Sequence, residues 1–229
     1  MFYRKLGGRP VRAVAQNTIV GVSMGQDKEQ KRQFIRDVAT KLFVEKGFEN
    51  TKTRDIIKAA GISKGALYYY FDSKEELLFQ ILNETGERGL KSIEQINKSE
   101  GSLKKKLTAI LNLYTEHYAV YRDEMKLFVD EEKSLNPEHK EIVKEKQRKY
   151  SRVVIRILDS LKEQGQITNC NTSVTAFAFF GMANWIYRWY DPDGPVKLQE
   201  LSKIFHDIFT NGIYFETNGG LPVEKNGGK

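Results

Sequence analysis

Between Thr51 and Leu77 the chain reads TKTRDIIKAAGISKGALYYYFDSKEEL, and no other stretch narrows its folding choices so far. Two short helical patterns meet at Gly61, three consecutive tyrosines and a phenylalanine follow, and Ser73-Lys74-Glu75-Glu76 then forms a capping-box signature that starts another helix. A bracing helix, a glycine turn and a second short helix are the grammar of a helix-turn-helix, whose second helix lies in the DNA major groove. Ser63 is placed to cap that second helix, and Gly65 sits inside it. Glycine there costs about 1 kcal/mol of helix propensity against alanine, which implies that something approaches the backbone closely.

The flanking sequence continues the helical pattern. Phe34, Ile35, Val38, Ala39, Leu42 and Phe43 recur at helical spacing behind Asp27, predicting a helix from about Lys28 to Lys46 that ends at Gly47 with Phe48 folded back on its last turn. Thr51 and Thr53 are alternative caps for the next helix. Beyond Ser73, helices are predicted to about Ile96, over Leu103 to Tyr121, over Glu124 to Ser134, and from Asn136-Pro137 to Gly165. Thr172 or Ser173 then caps a helix to about Tyr190, and Pro195 opens the last one, to about Phe215. No segment alternates with the period of a strand. The expectation is an all-α chain of about nine helices.

Its organisation follows: a flexible basic arm over residues 1–25, a three-helix DNA-binding unit over 26–72, a larger helical ligand-binding and dimerisation domain over 73–218, and a disordered tail over 219–229. The arm holds Arg4, Lys5, Arg9 and Arg12 and suits phosphates or a minor groove; the bland alternative is a leader ahead of a natural start at Met24.

Composition excludes several chemistries. Cys170 is the only cysteine, so no intrachain disulfide forms, and three scattered histidines lack metal-ligand spacing. No nucleophile with its base, paired acid and base or phosphate-cradling loop is recognisable, so neither an enzyme nor a cofactor is expected. The absence of a sufficiently long apolar run or export signal points to a cytoplasmic protein with no membrane partner. A net charge of +7 suits a nucleic-acid partner without demanding one.

Within the opening stretch, Thr53 and Arg54 lie at one helix start, Ser63 and Lys64 at the next, and Lys74 at a third. Such donors at helix N-termini suit DNA phosphates. Tyr68 and Tyr69 can reach a phosphate by hydroxyl or a thymine methyl by ring face. Serines and threonines also cap helices and aromatic rings also fill cores, so a plain three-helix core stays open. Leu67 and Phe71 take the core spacing, and the three tyrosines cannot all point inward on one short helix.

From about Phe34 to Leu78 the chain resembles the DNA-binding domain of the TetR family of transcriptional regulators. The likeness is carried by Ala39, Leu42, Phe43, Gly47-Phe48, Thr51, Ile56, Ala60-Gly61, Ser63-Lys64-Gly65, Leu67-Tyr68, Tyr70-Phe71, Ser73-Lys74 and Leu77. The resemblance implies a homodimer that binds double-stranded operator DNA and is released by a small-molecule effector. It makes Thr53, Ser63, Lys64, Gly65, Ala66, Tyr68, Tyr69 and Lys74 the DNA-facing positions. Tyr70 stands where the family often has histidine.

In the second domain, Phe177, Phe180, Gly181, Asn184, Trp185, Arg188 and Trp189 fall along one broad helical face, which is expected to be buried in a core or a dimer interface. The run from Gly181 to Tyr190 resembles a motif of the acyl-CoA-responsive group of the family, the FadR-like and KstR2-like regulators. That resemblance implies an apolar tunnel with a cationic mouth, with long-chain acyl-CoA as effector. Leu113, Tyr114, His117, Phe128 and Phe177, with Asn184 and Trp185, are the lining candidates; Arg148, Arg152 and Arg188 are candidates for the mouth. The function expected is a repressor of fatty-acid degradation genes, the alternative a drug- or aromatic-responsive repressor of an efflux gene.

Overall fold

The computed structural model describes residues 24–213, so the basic arm up to residue 23 and the C-terminal tail lie outside the described residues, while Met24 and Gly25 belong to the first helix. Helix α1 (Met24–Lys46) begins four residues before the predicted start and ends at Gly47, whose φ of +81° only glycine adopts without strain. Phe48 then turns back, edge-on to Phe43 with ring centroids 5.2 Å apart.

Helix α2 (Thr53–Ala60) is capped differently from either expectation. Lys52 is the cap residue, and its N–H donates to Asp55 Oδ2 at 3.1 Å. Thr51 is fully buried instead, its hydroxyl donating to the carbonyls of Gly47 (2.8 Å) and Leu42 (3.2 Å). The threonine is spent on closing the α1–α2 loop, where burial without a partner would be costly. Gly61, left-handed at φ +64°, ends α2. Ser63 Oγ accepts from the Ala66 N–H (3.1 Å) to start α3 (Lys64–Tyr70), and Ser73 Oγ accepts from Glu76 N–H (2.9 Å) to start α4 (Lys74–Lys98).

The remaining helices are α5 (Leu103–Val120), α6 (Arg122–Asp130), α7 (Pro137–Glu163), α8 (Thr172–Asn184), the single turn α9 (Ile186–Trp189) and α10 (Leu198–Ile213), with a short 3-10 turn at Glu132–Ser134. Asn136 caps α7 as its sequence predicts, while Asn171, one residue earlier than expected, caps α8. The helix predicted to continue to Tyr190 breaks at Trp185. There the backbone tightens to three-residue bonds, Trp185 N–H to Met182 O and Arg188 N–H to Trp185 O, and Arg122 takes the Tyr187 carbonyl at 2.6 Å. No strand forms among the described residues.

Two hydrophobic cores result. One joins α1, α2, α3 and the first half of α4 through Ile35, Phe43, Ile56, Leu67, Phe71, Leu77 and Leu78, and reaches Leu127, Leu135 and Val143 of the C-terminal domain. The other joins the second half of α4 to α5, α7, α8 and α10 through Ile93, Leu107, Ile110, Leu158, Phe179 and Phe209. Helix α4 serves both cores, so the two regions share a rigid element.

Candidate functional site

The short helix α3 presents its polar and aromatic side outward. Lys64, Gly65, Tyr68 and Tyr69 are exposed, Tyr69 to 66%, while Leu67 and Phe71 are buried as their spacing requires. Tyr70 is partly buried with its ring edge-on to Tyr69 at 5.0 Å. Lysine ammonium groups flank the exposed rings: Lys64 lies 5.9 Å from the Tyr68 centroid and Lys28 lies 4.8 Å from that of Tyr69. Arg54 is exposed, Thr53 and Ala66 are partly so, and Ser63 has its oxygen engaged in the cap. A methyl group on Gly65 would meet only Ser63 Oγ, at 3.9 Å, so the fold itself has no need of glycine there.

Lys74 behaves otherwise. Its ammonium donates to the carbonyls of Phe48 (2.7 Å) and Thr51 (2.9 Å) and sits 4.1 Å from the Phe48 ring centroid. Proximity to a helix start suggested a phosphate ligand; the structure makes it a clamp that holds the α1–α2 loop to α4.

A second concave site lies in the C-terminal domain, a cavity of about 390 Å³ walled by α4, α5, α6, α7 and α8. This is within the size range of small-molecule sites, roughly 300–1,000 Å³. Of the predicted lining residues, Tyr114, His117, Phe128, Arg148, Phe177 and Asn184 meet there. Their clustering explains the polar residues amid aromatics: Tyr114 donates its hydroxyl to Asn184 Oδ1 at 2.8 Å, and its ring packs against Tyr118, Tyr150, Phe179 and Phe180 at 5.0–5.5 Å. Burial pushes the Tyr114 hydroxyl up to about 12, and burial, aided by Arg88, lowers the His117 pKa, so both groups are neutral donors or acceptors near neutral pH.

Four predicted residues lie outside the cavity. Leu113 precedes Tyr114 and so points about 100° away around α5. Arg152 faces solvent and pairs with Glu145 at 2.7 Å. Trp185 is 54% exposed because the helix breaks at that residue, with the Arg188 guanidinium 4.5 Å from its ring. Arg188 itself donates to the Tyr187 hydroxyl (3.0 Å) and Asp130 (3.3 Å). Burial opposes the charge on Asp130, yet bonds from Lys126 and Tyr187 hold its carboxyl below the usual range.

The walls that sequence reasoning missed come from α4 and α7. Gly86 and Gly89 leave α4 without side chains where Lys146, Phe128 and Tyr150 approach; a Cβ on Gly86 would stand 3.2 Å from Lys146 Cδ and 3.4 Å from Phe128 Cε2. Two glycines one turn apart inside a long helix were the available signal. Lys146 pairs with Glu87 at 3.1 Å and Gln147 donates to Glu132 at 3.0 Å, so the rim carries both charges.

Within a single chain, the face expected to be buried in a core or a dimer interface is covered only in part. Phe180 is buried, but Val174, Phe177, Trp185 and Trp189 are exposed, as are Ile204 and Ile208 on α10, which touches α8 through Phe179 and Phe209. Adjacent apolar stripes on two helices mark an interaction surface. Among the described residues no helix is long and apolar enough to cross a membrane, and no side-chain group suits a metal ion.

Residues 35–81 match the family described as "Bacterial regulatory proteins, tetR family", and residues 100–213 match "Tetracyclin repressor-like, C-terminal domain". The chain is similar to the transcriptional repressor KstR2 of Rhodococcus jostii (strain RHA1), at 29% identity over 81% of this chain and 92% of that protein. It is also similar to the fatty acid metabolism regulator protein of Bacillus subtilis (strain 168), at 24% over 82% and 98%. A TetR-family regulator from Bordetella parapertussis 12822 superposes with a TM-score of 0.74 at 30% identity, covering 80% of this chain and 96% of that one. AibR, solved with isovaleryl coenzyme A and operator DNA, superposes at 0.72 with 23% identity, over 78% and 97%. Family membership brings operator DNA, a second copy of the chain and a small-molecule effector as partners, and no catalysis. The chain belongs to the TetR family and is a DNA-binding transcriptional regulator.

Proposed function

We propose that this regulator is a cytoplasmic homodimeric repressor of fatty-acid degradation genes that leaves its operator when long-chain acyl-CoA occupies the C-terminal cavity. In this reading residues 26–72 form the reading head and residues 73–218 the effector and dimerisation domain. Thr53, Arg54, Ser63, Lys64 and Tyr69 hold phosphates, Gly65 and Ala66 admit the duplex to the α3 backbone, and Tyr68 reads a base edge or backs a phosphate. The paired α8 and α10 stripes join two copies, so the two α3 helices meet successive major grooves.

The observation that carries the effector reading is the cavity itself, a ring-lined chamber with Lys146 and Arg148 at its rim. The interior suits an acyl chain, and the rim cations suit coenzyme A phosphates once these displace Glu87 from Lys146 and Glu141 and Glu145 from Arg148. The AibR complex and the fatty-acid regulator support this chemistry. The same rings also suit a planar aromatic compound, which keeps the efflux reading as its rival.

Release needs a route from cavity to DNA. Phe128, Val129 and Glu132 border the cavity, and neighbouring Glu131 accepts from the Phe48 N–H at 3.4 Å, beside the carbonyl that Lys74 holds. An effector that displaces the end of α6 therefore moves the loop that carries α2. Release follows if the effector binds the displaced state better than the DNA-bound one.

Titrating operator-bound protein with lauroyl- to oleoyl-CoA, followed by fluorescence anisotropy, is expected to free the DNA at micromolar concentrations. Release by cationic dyes but not by thioesters overturns the acyl-CoA reading in favour of the efflux one. Lys64→Ala and Tyr69→Ala are expected to abolish operator binding while leaving effector affinity unchanged; full DNA affinity in both removes α3 as the reader.

A further inference from the structure

A residue of the cavity wall carries a hydrogen-bond donor that the fold does not use. Tyr150 on α7 carries a hydroxyl that is buried and has no partner among the described residues. Its ring is fixed by Tyr114 at 5.3 Å and Phe180 at 5.9 Å, with Gly89 of α4 close beside it. Among the other polar groups along the wall, Tyr114 donates to Asn184, the Thr85 hydroxyl to Ile81 O at 2.8 Å, and Gln147 to Glu132. A buried hydroxyl without a partner is costly, and phenylalanine would fill the same space without that cost. Burial holds the Tyr150 phenol well above its ordinary range, so it is an O–H donor throughout the physiological range.

Its depth suits one acceptor in particular. On α8 the exposed Phe177 stands at the rim, Phe180 one turn further on is buried, and Tyr150 rests against Phe180. In an acyl-CoA the link between phosphates and chain is a pantetheine arm with two amides, each bringing an N–H, and the thioester that adjoins the chain. Of these carbonyls only that of the thioester accepts a hydrogen bond without bringing a donor into the apolar chamber.

We infer that Tyr150 donates to the thioester carbonyl oxygen of the bound effector and so selects acyl thioesters over equally long and apolar ligands that lack an acceptor there. The inference rests on the acyl-CoA reading. Lauroyl-CoA and S-dodecyl-CoA differ only in that a carbonyl is replaced by a methylene. Both are titrated calorimetrically into the full-length protein and its Tyr150→Phe variant.

Native protein is expected to prefer the thioester by roughly tenfold, and Tyr150→Phe to lose that preference by weakening thioester binding while the thioether binds at least as well. An equal fall for both ligands in the variant would make Tyr150 a packing residue and overturn the inference, as would equal affinity of both for native protein. Failure of lauroyl-CoA to bind native protein at all overturns the acyl-CoA reading and the inference together.

Discussion

In the helix-turn-helix, Ile35, Phe43, Ile56, Leu67 and Phe71 are exposed by 3% or less and close around one another, whereas the larger C-terminal domain gathers more aromatic rings and still leaves a chamber of about 390 Å³. The first region spends its side chains on a fixed shape. The Thr51 hydroxyl and the Lys74 ammonium are engaged in holding it. The second keeps Tyr150 unpaired, two glycines in a wall and an apolar face on α8 and α10 without a partner in its own chain. A DNA reader must hold donors at fixed spacing, whereas a sensor must have room for its effector and two arrangements of similar free energy.

The largest expected effect sharpens this contrast. Phe71→Ala removes a ring from the closed core and is expected to cost about 3–5 kcal/mol, because the surrounding helices cannot collapse onto the space. Phe177→Ala trims a ring that is 59% exposed at the cavity rim and is expected to cost less than about 1 kcal/mol in the isolated subunit. Denaturant unfolding of both variants checks the pair. Equal losses would mean that the C-terminal domain is packed as tightly as the reader.

The same contrast explains how far the sequence could be read. Caps at Ser63, Ser73 and Asn136, the glycine turns at Gly47 and Gly61 and the inward spacing of Leu67 and Phe71 are local instructions, each resolved within about one turn of its own residue. In α2 only the cap departs from its sequence signal, because Thr51, a good cap by type, has a better use as the bond that closes a buried loop. The cavity is assembled from five helices, and no single periodicity encodes it. Tyr114 and Asn184 were recoverable as polar groups amid rings, but Trp185 and Arg188 were carried outward by a helix break that only contacts with Arg122 and Asp130 disclose.

A smaller effect separates the two regions through their glycines. Gly65→Ala meets nothing but Ser63 Oγ, so it is expected to raise stability by about 0.5–1 kcal/mol while weakening operator binding, since the added methyl lies on the exposed face proposed to meet DNA. Gly86→Ala gains similar helix propensity, but its methyl crowds Lys146 and Phe128, so the net change in stability is expected to stay below about 1 kcal/mol while effector affinity falls. Thermal unfolding with paired DNA and effector titrations reads both. Gly65→Ala with undiminished operator affinity would show that duplex and α3 backbone never come close.

The smallest expected effect is a pH dependence that belongs to the sensor alone. Burial, with Arg88 adding like charge, depresses the His117 pKa in the folded chain below its usual 6.5. The unfolded chain then binds a proton at higher pH than the folded one, so this stability is fully present above about 6.5 and is lost as pH falls from there through the depressed folded value. Carboxylates held low, among them Asp55, Asp130 and Asp207, titrate below the 3.8 of an ordinary aspartate and leave the window from pH 7.5 to 5.5 clear. His139 and His206 are common to native protein and a His117→Asn variant, so the difference between the two melting curves isolates His117. The native protein is expected to lose more stability across that window than the variant. Parallel curves would mean that the imidazole stays hydrated when the protein folds, and the cavity would then be wet at its α5 wall.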